Sequence, residues 1–322
     1  GSSSGDGTSG GGEAVEWTLD TYFPPPPGIW CSREVEGFAN RVNERLAGRF
    51  KINATYGSSL GVPGPEVAVA LNQGVFQADF TAFPYLAGDI PVLGIAGLPA
   101  LLPDNYDALM ALSVLTPYYK SELDSRGVTL VGNPQLFPKQ GMWSKKPIRT
   151  LQDIKGLRLR VSSPEQTMMA DALGAIPVSL NMPEVYQALE RGMLDAILGS
   201  TVTAISVSAW EVLDYGIDIS FTGADWGLLV SKKAWEALPA DVQLVMIQEA
   251  LVATNESNWK SLLEEANDWA MLSDKGLEKI IPDPELPAEL GAVCAPVWDS
   301  WGESRGGVAA QALSDVRAVL GR

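Results

Sequence analysis

Residues 155–164 read KGLRLRVSSP and combine the end of a strand with the start of a helix. Apolar side chains alternate with arginines over 157–161, and this two-residue period predicts a β-strand. Ser163 can cap a following helix, with a proline in its first turn and Gln166 completing a capping box. Arg160 therefore stands at the carboxyl end of a strand, one step before a helix N-terminus.

The composition limits the classes of function that the chain can have. Its 322 residues suit two domains of ordinary size, and the 46% apolar content is enough for a sizeable core. Asp and Glu outnumber Lys and Arg by 39 to 23, which gives a formal charge of −16. So acidic a surface repels phosphate backbones and anionic lipids, and no apolar run is long enough to span a membrane. We therefore expect no nucleic-acid partner.

The chain contains no histidine, which excludes Ser-His-Asp and Cys-His catalysis and every histidine-containing metal motif. The segment 57–61, GSSLG, matches the G-x-S-x-G nucleophile elbow, but without a histidine we interpret it as a strand-to-helix loop. Neither a P-loop nor a G-x-G-x-x-G fingerprint is present. The two cysteines, Cys31 and Cys294, could form a disulfide or pack separately, and the sequence leaves both alternatives open.

Strands and helices alternate twice along the chain. In the first series, hydrophobic periodicity and capping residues predict strands at 17–22, 50–56 and 75–80, joined by helices at 33–47 and 65–73. In the second series, the same patterns predict strands at 157–161, 176–180 and 194–198, joined by helices at 164–173 and 183–191. Strands joined by helices predict parallel sheets with helices on both faces, so we predict an α/β fold with two doubly wound domains around a cleft.

The segment 241–275 contains hardly any helix breaker, and its apolar residues recur at helical intervals. A helix of this length would be about 50 Å long and could brace both domains. A break at the polar cluster 254–257 is the alternative.

Arg160 is the strongest candidate for binding a ligand. The carboxyl ends of strands in such sheets face the ligand crevice, and a helix N-terminus offers unpaired N–H groups there. A guanidinium in that place can bind a carboxylate with two parallel hydrogen bonds, whereas we interpret Arg158 as an ordinary surface arginine. Aromatic residues at or near predicted strand ends could enclose the rest of the ligand: Phe23, Phe83, Tyr85, Trp143 and Trp226.

Three longer stretches resemble one known family. The runs PIRTLQDIKGLRLRV, LGAIPVSLNMPEVYQALERGMLDA and VSKKAWEALPADVQ are similar to the DctP-type solute receptors of TRAP transporters. The similarity is strongest over 147–240 and extends over 15–275. It implies a periplasmic-binding-protein-like fold of type II, a long helix spanning both domains, and a receptor that delivers an organic acid to a membrane permease pair. The arginine with which this family holds the ligand carboxylate falls on Arg160.

Two departures from the family pattern bear on the ligand. Many members have a second arginine where Gln140 stands, and many have a glutamate after the D-[GA] pair, where this chain has 197–199, Ile-Leu-Gly. Some keto-acid receptors use that glutamate to hold a metal, so we expect neither a metal nor another cofactor. We expect a carboxylate with an apolar or aromatic body instead. The predicted ligand-binding residues are Arg160, Trp143, Gln140, Met182, Trp226, Tyr85, Phe23, Gly199 and Ser200.

The predicted organisation is a flexible Gly/Ser tether at 1–14, a first domain of 15–138 with 222–255, and a second of 139–221 with 256–322. The tether suits an exported, periplasmic protein, lipid-anchored or free, and a cloning scar is the alternative. We expect a monomer. An enzyme acting on a small acid on the same scaffold and a sensory receptor are the alternative functions.

Overall fold

The structure, a computed structural model, describes residues 14–322. The predicted tether lies outside the described residues except for its last position. Eleven strands lie within the described part of the chain: β1 (Val15–Asp20), β2 (Phe50–Ala54), β3 (Ala78–Ala82), β4 (Val128–Leu136), β5 (Gln140–Ser144), β6 (Arg158–Val161), β7 (Ile176–Ser179), β8 (Ala196–Gly199), β9 (Tyr215–Thr222), β10 (Asp225–Ser231) and β11 (Glu278–Ile280).

Ten α-helices accompany these strands over 14–322. They are α1 (Trp30–Arg45), α2 (Val67–Gln73), α3 (Asn105–Asp124), α4 (Pro164–Ala172), α5 (Met182–Glu190), α6 (Thr201–Ser206), α7 (Lys232–Glu236), α8 (Ala240–Asp274), α9 (Leu286–Arg305) and α10 (Gly307–Leu320). The predicted alternation of strands and helices is confirmed in both halves, with boundaries that differ by a few residues.

The strands form two sheets, in the orders β2-β1-β3-β10-β4 and β11-β9-β5-β8-β6-β7. The prediction of parallel sheets is correct for most pairs but wrong for one strand of each sheet. β10 runs antiparallel to β3 and β4, and β5 runs antiparallel to β8 and β9. The reason is that each of these strands enters its sheet directly from the other sheet, without a helix that would reverse the chain.

Two short crossovers join the sheets. β4 leads into β5 through 137–139, and β9 leads into β10 through 223–224. The crossovers lie side by side and are joined by a hydrogen bond, in which the amide of Phe137 donates to the carbonyl of Ala224 at 3.1 Å. This arrangement leaves the carboxyl ends of the parallel strands of both sheets facing one cleft, as in a type II two-domain binding protein.

Helix α8 is a single helix of 35 residues, so the alternative of a break at 254–257 is wrong. Thr254 and Ser257 are buried, and the hydroxyl of Thr254 donates to the backbone carbonyl of Ala250 at 2.9 Å. Polar residues cluster here because the helix packs closely against β4 and α1. The length is about 52 Å at 1.5 Å per residue.

The last two helices, α9 and α10, connect the two units on the side opposite α8. Trp298 of α9 donates its indole N–H to the carbonyl of Pro99 at 2.8 Å. Ala312 and Leu313 of α10 share a core with Leu115 of α3, which belongs to the layer of the first sheet. Helix α10 therefore packs with the first unit, although the predicted boundaries group it with the second.

The two cysteines do not form a disulfide. Cys31 and Cys294 are buried free thiols that belong to different core clusters. Burial raises the pKa of both thiols, that of Cys294 to about 12. Packing as small apolar residues is thus the correct one of the two alternatives. No helix within 14–322 is both long enough and apolar enough to cross a membrane.

Candidate functional site

A cavity with about 480 Å³ of empty space, part of which is open to solvent, lies where the carboxyl ends of strands from both sheets meet the crossovers. Its walls come from both units, and ligands of open α/β sheets bind at the carboxyl ends of the strands. The lining residues are Tyr22, Ala82, Pro84, Tyr85, Phe137, Gln140, Arg160, Ser162, Gln166, Met182, Val202, Thr203, Ser206 and Ala224.

Arg160 is the charged residue of this cavity wall. Its side chain is only 3% exposed, and its Nε donates to the carbonyl of Leu180 at 3.0 Å. Its Nη2 is shielded from solvent and has no hydrogen-bond partner within residues 14–322. Buried polar groups are almost always paired, so a buried guanidinium nitrogen without a partner indicates a site for an acceptor that comes from outside the chain.

The N-terminus of α4 lies beside Arg160 but offers fewer donors than the sequence predicts. Ser163 caps the helix by accepting from the amide of Gln166 at 3.2 Å. The carboxamide oxygen of Gln166 in turn accepts from the amide of Ser162 at 2.8 Å. Pro164 has no N–H to give. Ser163 is confirmed as the cap, but the side chain of Gln166 accepts from the amide of Ser162 and not from that of Ser163, so the predicted capping box does not form. These hydrogen bonds consume amides that we expected to remain free, and the guanidinium is the main donor left.

Gln140, Tyr85 and Met182 also lie on the cavity wall, as predicted from the sequence. Gln140 is 5% exposed and is held by a hydrogen bond from its Nε2 to the carbonyl of Pro138, at 2.6 Å. Tyr85 packs edge-on against Tyr22, with ring centroids 5.3 Å apart. Burial raises the pKa of Tyr22, so its side chain presents a neutral phenol to the cavity.

Four of the five predicted aromatic residues lie in the core and do not line the cavity: Phe23, Phe83, Trp143 and Trp226. Trp226 donates its indole N–H to the carbonyl of Leu136 at 3.1 Å and packs edge-on against Phe23. Trp143 donates to the carbonyl of Gly199 at 2.9 Å, and its ring lies 4.7 Å from that of Trp269. Their positions near strand ends are as predicted, but alternation along a strand sends half of its side chains into the core.

Gly199 and Ser200 stand immediately behind the wall. A Cβ at Gly199 would lie 2.5 Å from the side chain of Thr203, which does line the cavity. The amide of Ser200 donates to the hydroxyl of Thr203 at 3.2 Å, and its own hydroxyl caps α6. These two residues support a cavity residue but do not line the cavity themselves.

Sequence reasoning missed ten of the fourteen residues that line the cavity: Tyr22, Ala82, Pro84, Phe137, Ser162, Gln166, Val202, Thr203, Ser206 and Ala224. Some of these could have been found from the same rule that selected Arg160. Tyr22 follows the end of β1 by two residues, and Ser162 follows β6 directly. The predicted domain boundaries at 138/139 and 221/222 fall near the crossovers 137–139 and 223–224, but no motif singled out Phe137 or Ala224 as a wall residue.

Arg158 is not the ordinary surface residue that we expected. Its Nε donates to Oδ2 of Asp195 at 2.9 Å, and its Nη2 donates to Oδ1 of the same carboxylate at 2.7 Å. Its Nη1 binds the carbonyl of Gly192 at 2.6 Å. The hydrogen bonds from Arg158 lower the pKa of Asp195 to about 2. The guanidinium of Arg158 thus joins β6 to the segment that leads into β8.

No group of three acidic, cysteine or histidine residues that could hold a metal ion occurs in the described part of the chain. The chemistry available at the cavity is therefore one cation surrounded by neutral donors and acceptors. Such a wall can bind and orient an anion.

Two helix-covered sheets of mixed strand direction, with a cavity at the crossovers that join them, define the class of two-domain solute-binding proteins. The chain belongs to the bacterial extracellular solute-binding protein family 7, DctP, whose family model matches residues 28–304. Membership confirms the predicted family and the prediction of a binding protein, and it is against the alternative of an enzyme.

Among its relatives is a solute-binding protein of Albidiferax ferrireducens, 30% identical over 66% of this chain and 64% of the relative, less than two thirds of its length. A monocarboxylate 2-oxoacid-binding periplasmic protein of Nostoc sp. is 27% identical over 83% of this chain and 71% of its own length. The solved structure of DctP7, an extracytoplasmic solute receptor of Bordetella pertussis binding pyroglutamic acid, is also similar. It is 27% identical, with a TM-score of 0.88 over 94% of this chain and 99% of that chain.

Proposed function

We propose that this chain is the periplasmic receptor of a TRAP transporter and binds a small organic monocarboxylate in its interdomain cavity. The receptor closes on the acid by a hinge motion at the crossovers and delivers it to the membrane permease. It acts as a monomer, either free in the periplasm or held by a lipid anchor.

The observation that carries this proposal is the unpaired half of the Arg160 guanidinium. A carboxylate at Nη2 would satisfy a nitrogen that the fold leaves without a partner, and it would neutralise a buried charge. The Nε–Leu180 hydrogen bond already fixes the plane of the guanidinium, so little side-chain entropy is lost when an acid binds.

The charge of the cavity wall favours an acid with a single carboxylate. Arg160 is the one charged residue among those that line the cavity within 14–322. A second carboxylate would be desolvated without a cation to pair with, which is costly. Tyr22, Tyr85 and Gln140 can instead hydrogen-bond a neutral group, such as an amide or a keto group. The pyroglutamic acid bound by DctP7 has this chemistry, one carboxylate and one neutral amide.

The test is isothermal titration calorimetry with the full chain after unfolding and refolding to remove any co-purified ligand. We expect pyroglutamate and other compact monocarboxylates to bind at least tenfold more tightly than succinate, and gluconate to bind more weakly still. Tighter binding of succinate would rule out the single-anion site. Stable receptor–permease complexes in detergent, formed only with the acid present, would support the transport role.

A further inference from the structure

The ligand cavity borders a second, larger space at the mouth of the cleft. This mouth groove has about 1350 Å³ of empty space, part of which is open to solvent, and shares Tyr22, Tyr85, Met182 and Ser206 with the inner cavity. These four residues form a junction between the two spaces. The groove therefore adjoins the ligand site.

The walls of the mouth groove are mostly apolar. One wall contains Pro24, Pro25, Val62 and Pro63, and the other contains Pro183 beside the junction residue Met182. Glu184 is the one charged residue among those that line the groove within 14–322. Its Oε2 accepts from the amide of Asn181 at 3.2 Å in the capping box of α5, so it is already engaged. No lining cation is present to attract a second carboxylate.

The first wall is rigid, because the segment 57–61 that resembles a nucleophile elbow forms a tight turn. Gly57 and Gly61 have φ angles of 70° and 75°, and the amide of Gly61 donates to the carbonyl of Ser58 at 2.9 Å. Next to this turn, a Cβ at Gly64 would come within 2.8 Å of the Tyr85 ring. Tyr85 is therefore packed against the backbone at the junction, and the groove is preformed.

We propose that the ligand carries an uncharged apolar tail, with its carboxylate at Arg160 and its tail passing the junction into the mouth groove. The substrate class is then the monocarboxylates with an aliphatic or aryl extension, of which compact acids fill only the inner cavity. This inference rests on the proposed function, since it takes Arg160 as the carboxylate anchor. The tail gains affinity by leaving water for a half-enclosed apolar wall.

The test is a titration of the full chain with unbranched monocarboxylates of increasing length, from butanoate to decanoate, kept below their micelle concentrations. Once the tail passes the junction, we expect Kd to fall about two- to fourfold for each added methylene, because each buried methylene contributes a fixed transfer free energy. The gain should stop when the groove is full.

Val62→Glu places a charge on the groove wall, and Val75→Glu makes the same exchange at a residue that is 57% exposed and outside the groove. We expect Val62→Glu to abolish the gain with length while it keeps the affinity for pyroglutamate, which also shows that the variant is folded. Val75→Glu should behave as wild type.

If Kd stays constant or rises with the length of the acid while pyroglutamate still binds, the inference of an apolar tail is wrong and the proposed function is unaffected. A gain with length that persists in Val62→Glu places the tail elsewhere and also overturns the inference. If no acid binds, pyroglutamate included, the proposed function fails and this inference fails with it.

Discussion

Arg158 and Arg160 lie on the same face of β6, two residues apart, yet only Arg158 has an acidic partner within the described chain. Arg158 stands at the start of the strand and is paired with Asp195, whereas Arg160 stands near its end with Nη2 buried and unpaired. Two residues of a strand span about 7 Å, so this short distance separates a structural arginine from the proposed ligand anchor.

Replacing Arg160 with methionine tests the anchor. We expect Arg160→Met to weaken binding of pyroglutamate by roughly 10²- to 10³-fold, because the carboxylate would be buried without a partner. The free energy of unfolding without ligand should stay the same or rise, since a buried and incompletely paired charge is removed. Calorimetry and urea denaturation measure the two effects, and near-native affinity would contradict the anchor.

Arg158→Ala is the matched control on the same strand. It removes the ion pair with Asp195 and the hydrogen bond to Gly192, so we expect a small loss of stability. The affinity for the acid should change less than threefold. A large loss of affinity here would mean that the two arginines do not have separate roles.

The lowered pKa of Asp195 predicts an acid-sensitive contribution to stability. Its pKa is about 2 in the folded chain and near 3.8 when unpaired, so the stabilisation is fully present above about pH 5 and is lost as the pH falls through 2. Because the side chain of Asp195 is 30% exposed and that of Arg158 is 42% exposed, solvent screening leaves about 1 kcal/mol. Urea denaturation of wild type and Asp195→Asn should converge at pH 2, and a constant difference from pH 6 to 2 would contradict this.

Asp225 predicts the opposite trend at higher pH. Burial raises its pKa to about 7, although Tyr119 donates to its Oδ2 at 2.8 Å. Between pH 4 and 7 the unfolded chain has released a proton that the folded chain retains, so stability falls as the pH rises. Asp225→Asn removes this pH-dependent contribution to the free energy of unfolding. The stability of the variant relative to wild type should therefore rise by up to about 4 kcal/mol between pH 4 and 7. Parallel pH profiles would show that Asp225 is not protonated in the fold.

Gly94→Ala tests the contact between α4 and the 3-10 helix Pro91–Gly97. A Cβ at Gly94 would lie 2.5 Å from the carboxyl group of Glu165, which is fully buried and accepts from the Trp301 indole at 2.9 Å. Because that carboxyl group has no space to move, we expect a loss of about 1–3 kcal/mol in thermal or urea denaturation. Gly88→Ala, with no atom within 4 Å of the new Cβ, should change stability by less than about 0.5 kcal/mol.

The sequence determined the local elements and the position of Arg160, because both depend on short-range patterns. Ser163 forms the predicted cap, and the strand before it ends at Val161. The antiparallel strands β5 and β10 could not be predicted in the same way. Their direction depends on which sheet each strand joins, and that choice depends on contacts between residues distant in sequence.

The aromatic residues show the same limit within the site. Trp143 and Trp226 stand near strand ends, and pattern alone allows either the cavity or the core. The structure places both in the core, where each indole N–H meets a backbone carbonyl. Buried tryptophans usually have such a partner, and the availability of one is a property of the folded chain.

The length of α8 has a consequence for how far the cleft can open. The helix packs against β4 and α1 on one side and against α6 and β11 on the other, and it contains neither proline nor glycine. Sharp kinks in helices arise at such residues, so α8 has no proline or glycine at which to kink sharply. Opening must be absorbed as gentle curvature spread over nine or ten turns, roughly, at 3.6 residues per turn. A helix that packs on elements of both units in this way restrains how far they can separate.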